Sequence, residues 1–174
     1  GKIVAVKGLG GFHLAVDATQ ESAVNRLRER KHREAKPLAV MCRDLAEARR
    51  HAHVDDRALA LLSSRHRPIV LVPRKEGSTL AASVAPDNAD VGVMLPYTPL
   101  HVLLLAGGPA ALVMTSGNLS EEPIAIGNDE AIDRLGAIAD LFVLHDREIL
   151  VRNDDSVVGA VGERTTFFRR SRGY

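Results

Sequence analysis

Short apolar segments alternate with polar segments of helical periodicity along most of the chain, and this alternation limits the possible folds more than any other feature. The apolar segments are rich in Val, Leu and Ile, which is typical of buried strands. Strands are predicted at residues 3–6, 38–42, 68–72, 91–95, 111–114 and 141–144. Helices are predicted at residues 20–31, 44–51, 55–62, 100–106 and 129–135, with Thr19 as the N-cap of the first.

The end of the chain departs from this alternation. Residues 157–161 and 165–169 are two strand-like segments around Gly162-Glu163, a pattern that predicts an antiparallel hairpin. A chain that combines helix-connected strands with a hairpin is expected to build a mixed sheet. We therefore predict an α/β fold in which a mixed, twisted sheet of parallel and antiparallel strands is flanked by helices.

The length of 174 residues fits one core, so the whole chain, 1–174, is predicted to be a single domain. The chain begins on a strand and ends without a tail, and we expect it to be a domain of a longer protein. The net charge of +1 gives no overall signal for a nucleic-acid or membrane partner. Cys42 is the single cysteine, which excludes an internal disulfide and favours a buried thiol in a cytoplasmic protein.

Basic residues cluster at the predicted end of the first helix and just after it. The cluster comprises Arg26, Arg28, Arg30, Lys31, Arg33 and Lys36, against the acidic residues Glu29 and Glu34. One interpretation is a solvated helix end, where cations complement the helix dipole. The other is a phosphate clamp, because Lys31 and Arg33 leave the helix together and Lys36 precedes the rigid Pro37. The cluster alone leaves both interpretations open.

Two turns could add ligand-binding groups. Residues 115–118 (Thr-Ser-Gly-Asn) follow a strand, at the kind of edge where open α/β sheets bind ligands, although a plain strand-to-helix turn fits equally well. Residues 8–11 (Gly-Leu-Gly-Gly) match neither a dinucleotide-binding nor a Walker-type phosphate motif. Beside them, Lys7 is either a surface lysine or a site cation, and His13 is more simply a structural histidine.

Charged residues near the C-terminus form a third group. Asp154 and Asp155 could hold magnesium, but a turn-forming aspartate pair is the commoner explanation. Arg169 and Arg170 lie on a predicted edge strand, where charges also prevent aggregation. The histidines show no metal-ligand spacing together with carboxylates, so no metal site is predicted.

Seven parts of the chain together carry a resemblance to a known family. They are residues 7–14 (KGLGGFHL), 31–33 with 36–38 (KHR, KPL), 91–101 (VGVMLPYTPLH), 115–123 (TSGNLSEEP), 145–147 (HDR), 152–157 (RNDDSV) and 169–174 (RRSRGY). Through their combination the whole chain resembles the YrdC-like domain of HypF, the carbamoyltransferase of hydrogenase maturation. The resemblance implies a YrdC-like fold with a concave basic cleft.

The resemblance also implies which residues bind ATP and substrate. The nucleotide-binding residues are predicted to be Lys31, Arg33, Thr115, Ser116 and Asn118, with Arg169 or Arg170 as a further phosphate contact. Lys36 and Lys7 are predicted to be catalytic, with Mg²⁺ accompanying ATP. In the threonine-using branch of the family, the residue before Pro-Leu lies near the substrate, and this places Lys36 at the acyl group and the α-phosphate.

Three further residues bear on the acyl substrate. Ser156 falls on a position that lies near it in the family. Gly8 replaces a threonine, and Met94 an arginine, that hold L-threonine in the branch that makes threonylcarbamoyl-adenylate. Without a cation for the threonine carboxylate, recognition of threonine would be weakened, so the resemblance favours bare carbamate.

The function implied is therefore ATP-dependent adenylation of carbamate, derived from carbamoyl phosphate, to carbamoyl-AMP. In HypF-type proteins the carbamoyl group then passes to a HypE-like acceptor on the way to the cyanide ligands of [NiFe]-hydrogenase. Alternative readings are threonylcarbamoyl-adenylate synthesis, a YrdC domain of another carbamoyltransferase, or double-stranded RNA binding by a basic face. The net charge of +1 and the scarcity of aromatic residues make a nucleic-acid partner the weakest of these.

Overall fold

The computed structural model describes residues 1–119, 122–161 and 164–174. Their strands are β1 (Val4–Lys7), β2 (Phe12–Asp17), β3 (Val40–Cys42), β4 (Ile69–Pro73), β5 (Asp90–Met94), β6 (Ala111–Ser116), β7 (Leu141–Val143), β8 (Val157–Val161) and β9 (Arg164–Arg169). The helices are α1 (Glu21–Lys31), α2 (Leu45–His51), α3 (Asp56–Ser63), α4 (Pro99–Gly107) and α5 (Asn128–Leu135), with a short 3₁₀ helix at Ala82–Val84.

All nine strands join one sheet, in the order β7-β1-β2-β6-β3-β5-β4-β8-β9. The pairs β1–β7, β3–β5 and β4–β8 are parallel, and the other five pairs are antiparallel. The predicted mixed α/β fold is therefore confirmed. Strands β8 and β9 form the predicted hairpin, while its turn at Gly162-Glu163 lies outside the described residues.

The two faces of the sheet carry different apolar clusters, because successive strand residues point to opposite faces. The larger cluster lies between the sheet and helices α1, α2, α3 and α5. The smaller cluster lies on the other face, where Met94 and Met114 pack with Leu105 of α4. Helix α4 leaves part of this second face uncovered, and that area carries the candidate site.

Most helix ends follow from local chemistry, but the first does not. Asp44 and Asp55 cap α2 and α3, and Thr98 caps α4, in each case by a side-chain oxygen that accepts a backbone N–H bond. Thr19 is not the N-cap of α1, so that prediction is wrong. Its hydroxyl donates to Asp17 at 2.7 Å, and the helix starts after Gln20 without a side-chain cap.

Strand β2 was missing from the sequence prediction. It carries Phe12, Leu14 and Val16 toward the larger cluster, but polar His13 and Asp17 alternate with them close to glycine-rich residues.

Cys42 is buried as predicted, and burial raises the pKa of its thiol to about 12. Across the described residues, no helix combines the length and apolarity needed to cross a membrane.

Candidate functional site

A cavity of about 720 Å³ lies over the uncovered part of the sheet. Its apolar floor is formed by Ala39, Ile69, Leu71, Gly92, Met114 and Val157. Pairing across β4, β5 and β6 brings these residues together, since Leu71 is opposite Gly92 and the amide of Met114 donates to the carbonyl of Ala39 at 2.9 Å. The cavity therefore has a flat apolar base with room for a ring system.

Charged side chains of both signs surround this floor. Among the described residues the cavity is lined by four basic side chains, Lys31, Arg33, Lys36 and Arg169, and by four acidic ones, Glu34, Glu122, Asp154 and Asp155. The predicted basic cleft is therefore of mixed charge. An anion that entered it would meet Arg33, which is bonded to backbone carbonyls, and Arg169, which is bonded to a carbonyl and a carboxylate.

Lys31 ties helix α1 to the end of β6. It is 2% exposed, and its ammonium group donates to the Ser116 carbonyl at 2.7 Å, to the Asn118 side-chain oxygen at 2.8 Å and to the Asn118 carbonyl. Burial, and after it the nearby charge of Arg33, lowers the pKa of Lys31 to about 8, while Asp154 opposes the shift. In this structure Lys31 thus positions the Ser116–Asn118 turn.

The turn itself is closed by its own side chains. The Ser116 hydroxyl donates to Asn118 Oδ1 at 2.7 Å, and Asn118 Nδ2 donates to the Glu122 carbonyl at 2.6 Å. Thr115 is buried on the cavity wall next to them. Ser120 and Glu121, which belong to the segment 115–123 of the resemblance, lie outside the described residues.

The loop after α1 brings Arg33 and Lys36 to the cavity. The helix ends at His32 in the left-handed conformation (φ 52°), which turns the chain. Arg33 donates to the carbonyls of Lys36 and Pro37 at 3.2 and 2.6 Å. Burial lowers the pKa of its guanidinium, and the nearby charges of Arg28 and Arg169 act in the same direction.

The interpretation of the basic cluster as a solvated helix end is wrong for two of its members. Arg28 is 7% exposed and Lys31 2%. Because burying a cation is costly unless it is hydrogen-bonded, such residues are expected to have specific partners. Both do, and in each case the partners belong to the cavity wall or to the segment behind it.

Arg169 reaches the cavity from the far side. Its guanidinium pairs with Asp154 at 2.6 Å and donates to the carbonyl of Asp155 at 2.7 Å. Arg170, the alternative phosphate contact, is exposed and lies outside the lining. Of the two arginines, the geometry therefore favours Arg169.

Asp155 connects the cavity to a buried polar network. Its carboxylate meets His13 Nε2 at 3.0 Å and Arg172 Nε at 2.8 Å, and the Arg172 guanidinium lies 3.7 Å from the centre of the Tyr97 ring. Burial would raise the pKa of Asp155, but the bonds and charges of His13 and Arg172 hold it well below its usual range. The aspartate pair is thus more than a simple turn, and His13 is anchored through one ring nitrogen.

Besides Arg170, four predicted site residues lie outside the cavity lining. The alternation of side chains along β1 places Lys7 on the face of the sheet that carries the larger cluster. There its ammonium group donates to the His145 carbonyl at 3.0 Å. Met94 is fully buried beneath α4. Ser156 is also fully buried, and its hydroxyl donates to the Arg172 carbonyl and accepts the Ser171 N–H. At Gly8 a Cβ would lie 2.7 Å from the Gly11 carbonyl oxygen, so the turn itself requires glycine there.

The carboxylates of the cavity do not form a metal site. Among the residues that the structure describes, no three His, Cys, Asp or Glu side chains converge as metal ligands. Asp154 and Asp155 are already bonded to arginines. A Mg²⁺ ion fits this cavity only as part of an incoming Mg–nucleotide complex, and no step below depends on it.

Comparisons with known proteins give a consistent result. The family model Sua5_yciO_yrdC, described as "Telomere recombination", matches residues 1–171. The carbamoyltransferase HypF2 of Cupriavidus necator is 52% identical over all of this chain, which covers 24% of that relative. The chain thus spans about a quarter of the length of the curated relatives it matches.

Solved structures extend the likeness to the fold. A full-length HypF in a phosphate- and nucleotide-bound form superposes with a TM-score of 0.97 at 49% identity, over 99% of this chain and 27% of that one. The Sua5 protein of P. abyssi, solved with L-threonine, gives a TM-score of 0.85 at 18% identity, over 98% of this chain and 50% of that one. The second likeness concerns the fold alone.

Proposed function

The chain belongs to the Sua5/YciO/YrdC family, and from that premise we propose that its cavity binds ATP and uses it to adenylate carbamate. One observation carries the proposal: two distant segments bring Arg33, Lys36 and Arg169 around a single apolar floor, and a third places the Ser116–Asn118 turn beside them. These are the groups that a nucleotide requires, because its phosphates need converging cations and its base a flat apolar surface.

The size of the cavity supports a nucleotide. Ligand pockets commonly have volumes of roughly 300–1,000 Å³, and this one has about 720 Å³. We propose that the phosphates lie against Arg33, Lys36 and Arg169. They would then take the place of the Asp154 carboxylate at the Arg169 guanidinium. The base then lies on the floor around Leu71 and Gly92.

In the proposed reaction, a carbamate oxygen attacks the α-phosphorus of ATP. A new P–O bond forms as the bond to the leaving pyrophosphate breaks, which gives carbamoyl-AMP and pyrophosphate. Catalysis then consists of positioning and charge neutralisation rather than a covalent enzyme intermediate. Lys36 is proposed to neutralise charge at the α-phosphate, and its exposed position on the cavity wall supports that role.

Carbamate is proposed rather than threonine as the acyl substrate. Met94 packs against Met41 and Leu105 and offers no charge to an amino-acid carboxylate. Gly8 has a steric reason to be glycine, so it gives this choice less support than Met94. Lys7 is not carried forward as a catalytic residue, because its side chain lies on the opposite face of the sheet.

We propose the whole pathway by analogy with the longer relatives, which are named carbamoyltransferase HypF or HypF2. In a protein of that kind, carbamoyl phosphate supplies carbamate to this domain. The activated carbamoyl group then leaves through other domains to a HypE-like acceptor in hydrogenase maturation. We expect such a protein to work in the cytoplasm.

Calorimetric titration with ATP tests the binding step. Arg33→Ala should weaken ATP binding by about 1.5–3 kcal/mol, the usual contribution of a charge-assisted bond. Arg50→Ala is a matched control, because Arg50 is exposed on α2, away from the cavity lining, with its guanidinium 3.7 Å from Glu47. Unchanged affinity in Arg33→Ala would remove Arg33 from the site, and a wild-type protein that does not bind ATP would overturn the function.

A further inference from the structure

Arg28 lies behind the loop that carries Arg33 and Lys36, and its guanidinium donates five hydrogen bonds to backbone carbonyls. Its Nε donates to the Ser83 carbonyl at 2.6 Å. Nη1 donates to the carbonyls of Arg33 and Glu34 at 2.9 and 3.0 Å, and Nη2 to those of Lys36 and Val84, both at 3.3 Å. One buried guanidinium therefore holds five carbonyl groups.

These carbonyls belong to two segments that are far apart in the chain. Three are in the loop 33–36 on the cavity wall, and two are in the 3₁₀ helix Ala82–Val84 behind it. Glu21, two turns earlier on α1, accepts the amides of Ala82 and Ser83 at 2.7 and 3.2 Å. Helix α1 thus holds the 3₁₀ helix through two side chains, Glu21 at its amides and Arg28 at its carbonyls. Arg28 also joins the loop 33–36 to this 3₁₀ helix.

The same loop has few other anchors. Its backbone is joined to α1 by the Arg33 N–H, which donates to the Arg28 carbonyl at 2.9 Å, and to the 3₁₀ helix by the Leu38 N–H, which donates to Val84 at 2.9 Å. Residues 34–37 are exposed to solvent. Without Arg28, the Arg33, Glu34 and Lys36 carbonyls would lose a shared donor, and the loop would gain freedom.

We propose that Arg28 is a positioning residue for nucleotide binding: it sets the loop 33–36 so that Arg33 and Lys36 point into the cavity before ATP arrives. That ATP is the ligand rests on the proposed function, whereas the anchoring of the loop by Arg28 is independent of it. Binding to a preorganised loop costs less ordering entropy than binding to a mobile one. Only arginine can serve five acceptors from one head group, since a lysine ammonium has three donors.

The test compares Arg28→Gln and Arg28→Lys with Arg30→Gln as the matched control. Arg30 lies on the same helix and also bonds a carbonyl and a carboxylate, Ile138 O at 2.9 Å and Asp140 at 2.7 Å, away from the cavity. We expect Arg28→Gln to weaken ATP binding by about 10- to 100-fold, the scale of a displaced binding group. Arg28→Lys should lie between it and wild type, and Arg30→Gln should stay within about twofold of wild type, as expected for a residue remote from the ligand.

Amide hydrogen exchange in the absence of ATP supplies the second readout. In the Arg28 variants, exchange should increase at the two hydrogen-bonded amides that tether the loop, those of Arg33 and Leu38, and stay near wild type in β6. Arg30→Gln should leave the exchange of both amides unchanged. Unchanged loop exchange and unchanged ATP affinity in Arg28→Lys would overturn the proposal, even if Arg28→Gln failed to fold. Faster loop exchange in a protein whose wild type does not bind ATP would support the anchoring role and overturn only the proposed function.

Discussion

Replacing Lys31 with methionine tests how the site is held together. Methionine keeps much of the side-chain volume but removes the ammonium group, and with it the bonds to the Ser116 carbonyl and to both oxygens of Asn118. Because Lys31 is only 2% exposed, bulk water cannot easily take the place of the missing ammonium group as a hydrogen-bond donor. The end of β6 would then lose its link to α1.

The expected loss of stability combines opposing terms. A hydrogen bond from a charged donor contributes about 1.5–3 kcal/mol, and three such bonds are lost. Two of the acceptors keep another donor, because the Asn118 side-chain oxygen still accepts from the Ser116 hydroxyl and the Ser116 carbonyl from the Asn118 N–H. Removing the cost of burying the charge offsets part of this sum, as does water reaching the half-buried turn. We expect a net loss of about 2–4 kcal/mol, which corresponds to a melting temperature lower by roughly 5–15 °C for a domain of this size.

Thermal unfolding and calorimetric ATP titration should be measured together on Lys31→Met. Lys75→Met is the matched control, because the exposed Lys75 ammonium donates to the Arg49 carbonyl at 2.6 Å far from the cavity lining. That control should stay within about 0.5 kcal/mol of wild type. If Lys31→Met is as stable as the control and binds ATP with wild-type affinity, the assignment of Lys31 as the organiser of the turn is wrong.

Two further predictions concern charge in the cavity. Since the pKa of Lys31 is lowered to about 8, its positive charge is lost as pH rises through that value; bound phosphates should restore it, so ATP binding at pH 8 should take up roughly half a proton. Titrations in buffers of different ionisation enthalpy measure this proton uptake. An absence of uptake at pH 8 would contradict the lowered pKa of Lys31. Lys36→Met should lower the adenylation rate by roughly 10²–10³ with little change in ATP affinity, whereas weaker affinity with a normal rate at saturation would place Lys36 at the outer phosphates.

The mixed sheet could be predicted because most of its strands are continuous apolar segments bounded by turns. Strand β2 could not, since His13, which bonds Asp155, and Asp17, which bonds Thr19, break the apolar pattern. Thr19 was misplaced as a cap for a related reason: Asp17 competes for its hydroxyl at 2.7 Å. Local preference gave way to tertiary contacts in both cases.

The site followed the same rule. The motif residues on the loop after α1 and the turn after β6 could be placed together through the family resemblance, and they line one cavity. The role of Arg28 could not be read from the cluster, because its five carbonyl partners become neighbours only when residues 83 and 84 pack against α1. Lys7 was assigned to the site by its proximity to the glycine-rich turn, but strand alternation directs it to the other face.

Isotope exchange between pyrophosphate and ATP tests the central claim most directly, since it reports reversible formation of an acyl-adenylate. The assay should use the purified domain with ammonium carbamate, with bicarbonate and with L-threonine plus bicarbonate in parallel. Our account predicts exchange that depends on carbamate and does not respond to threonine. Exchange stimulated by threonine, with none on carbamate, would contradict it.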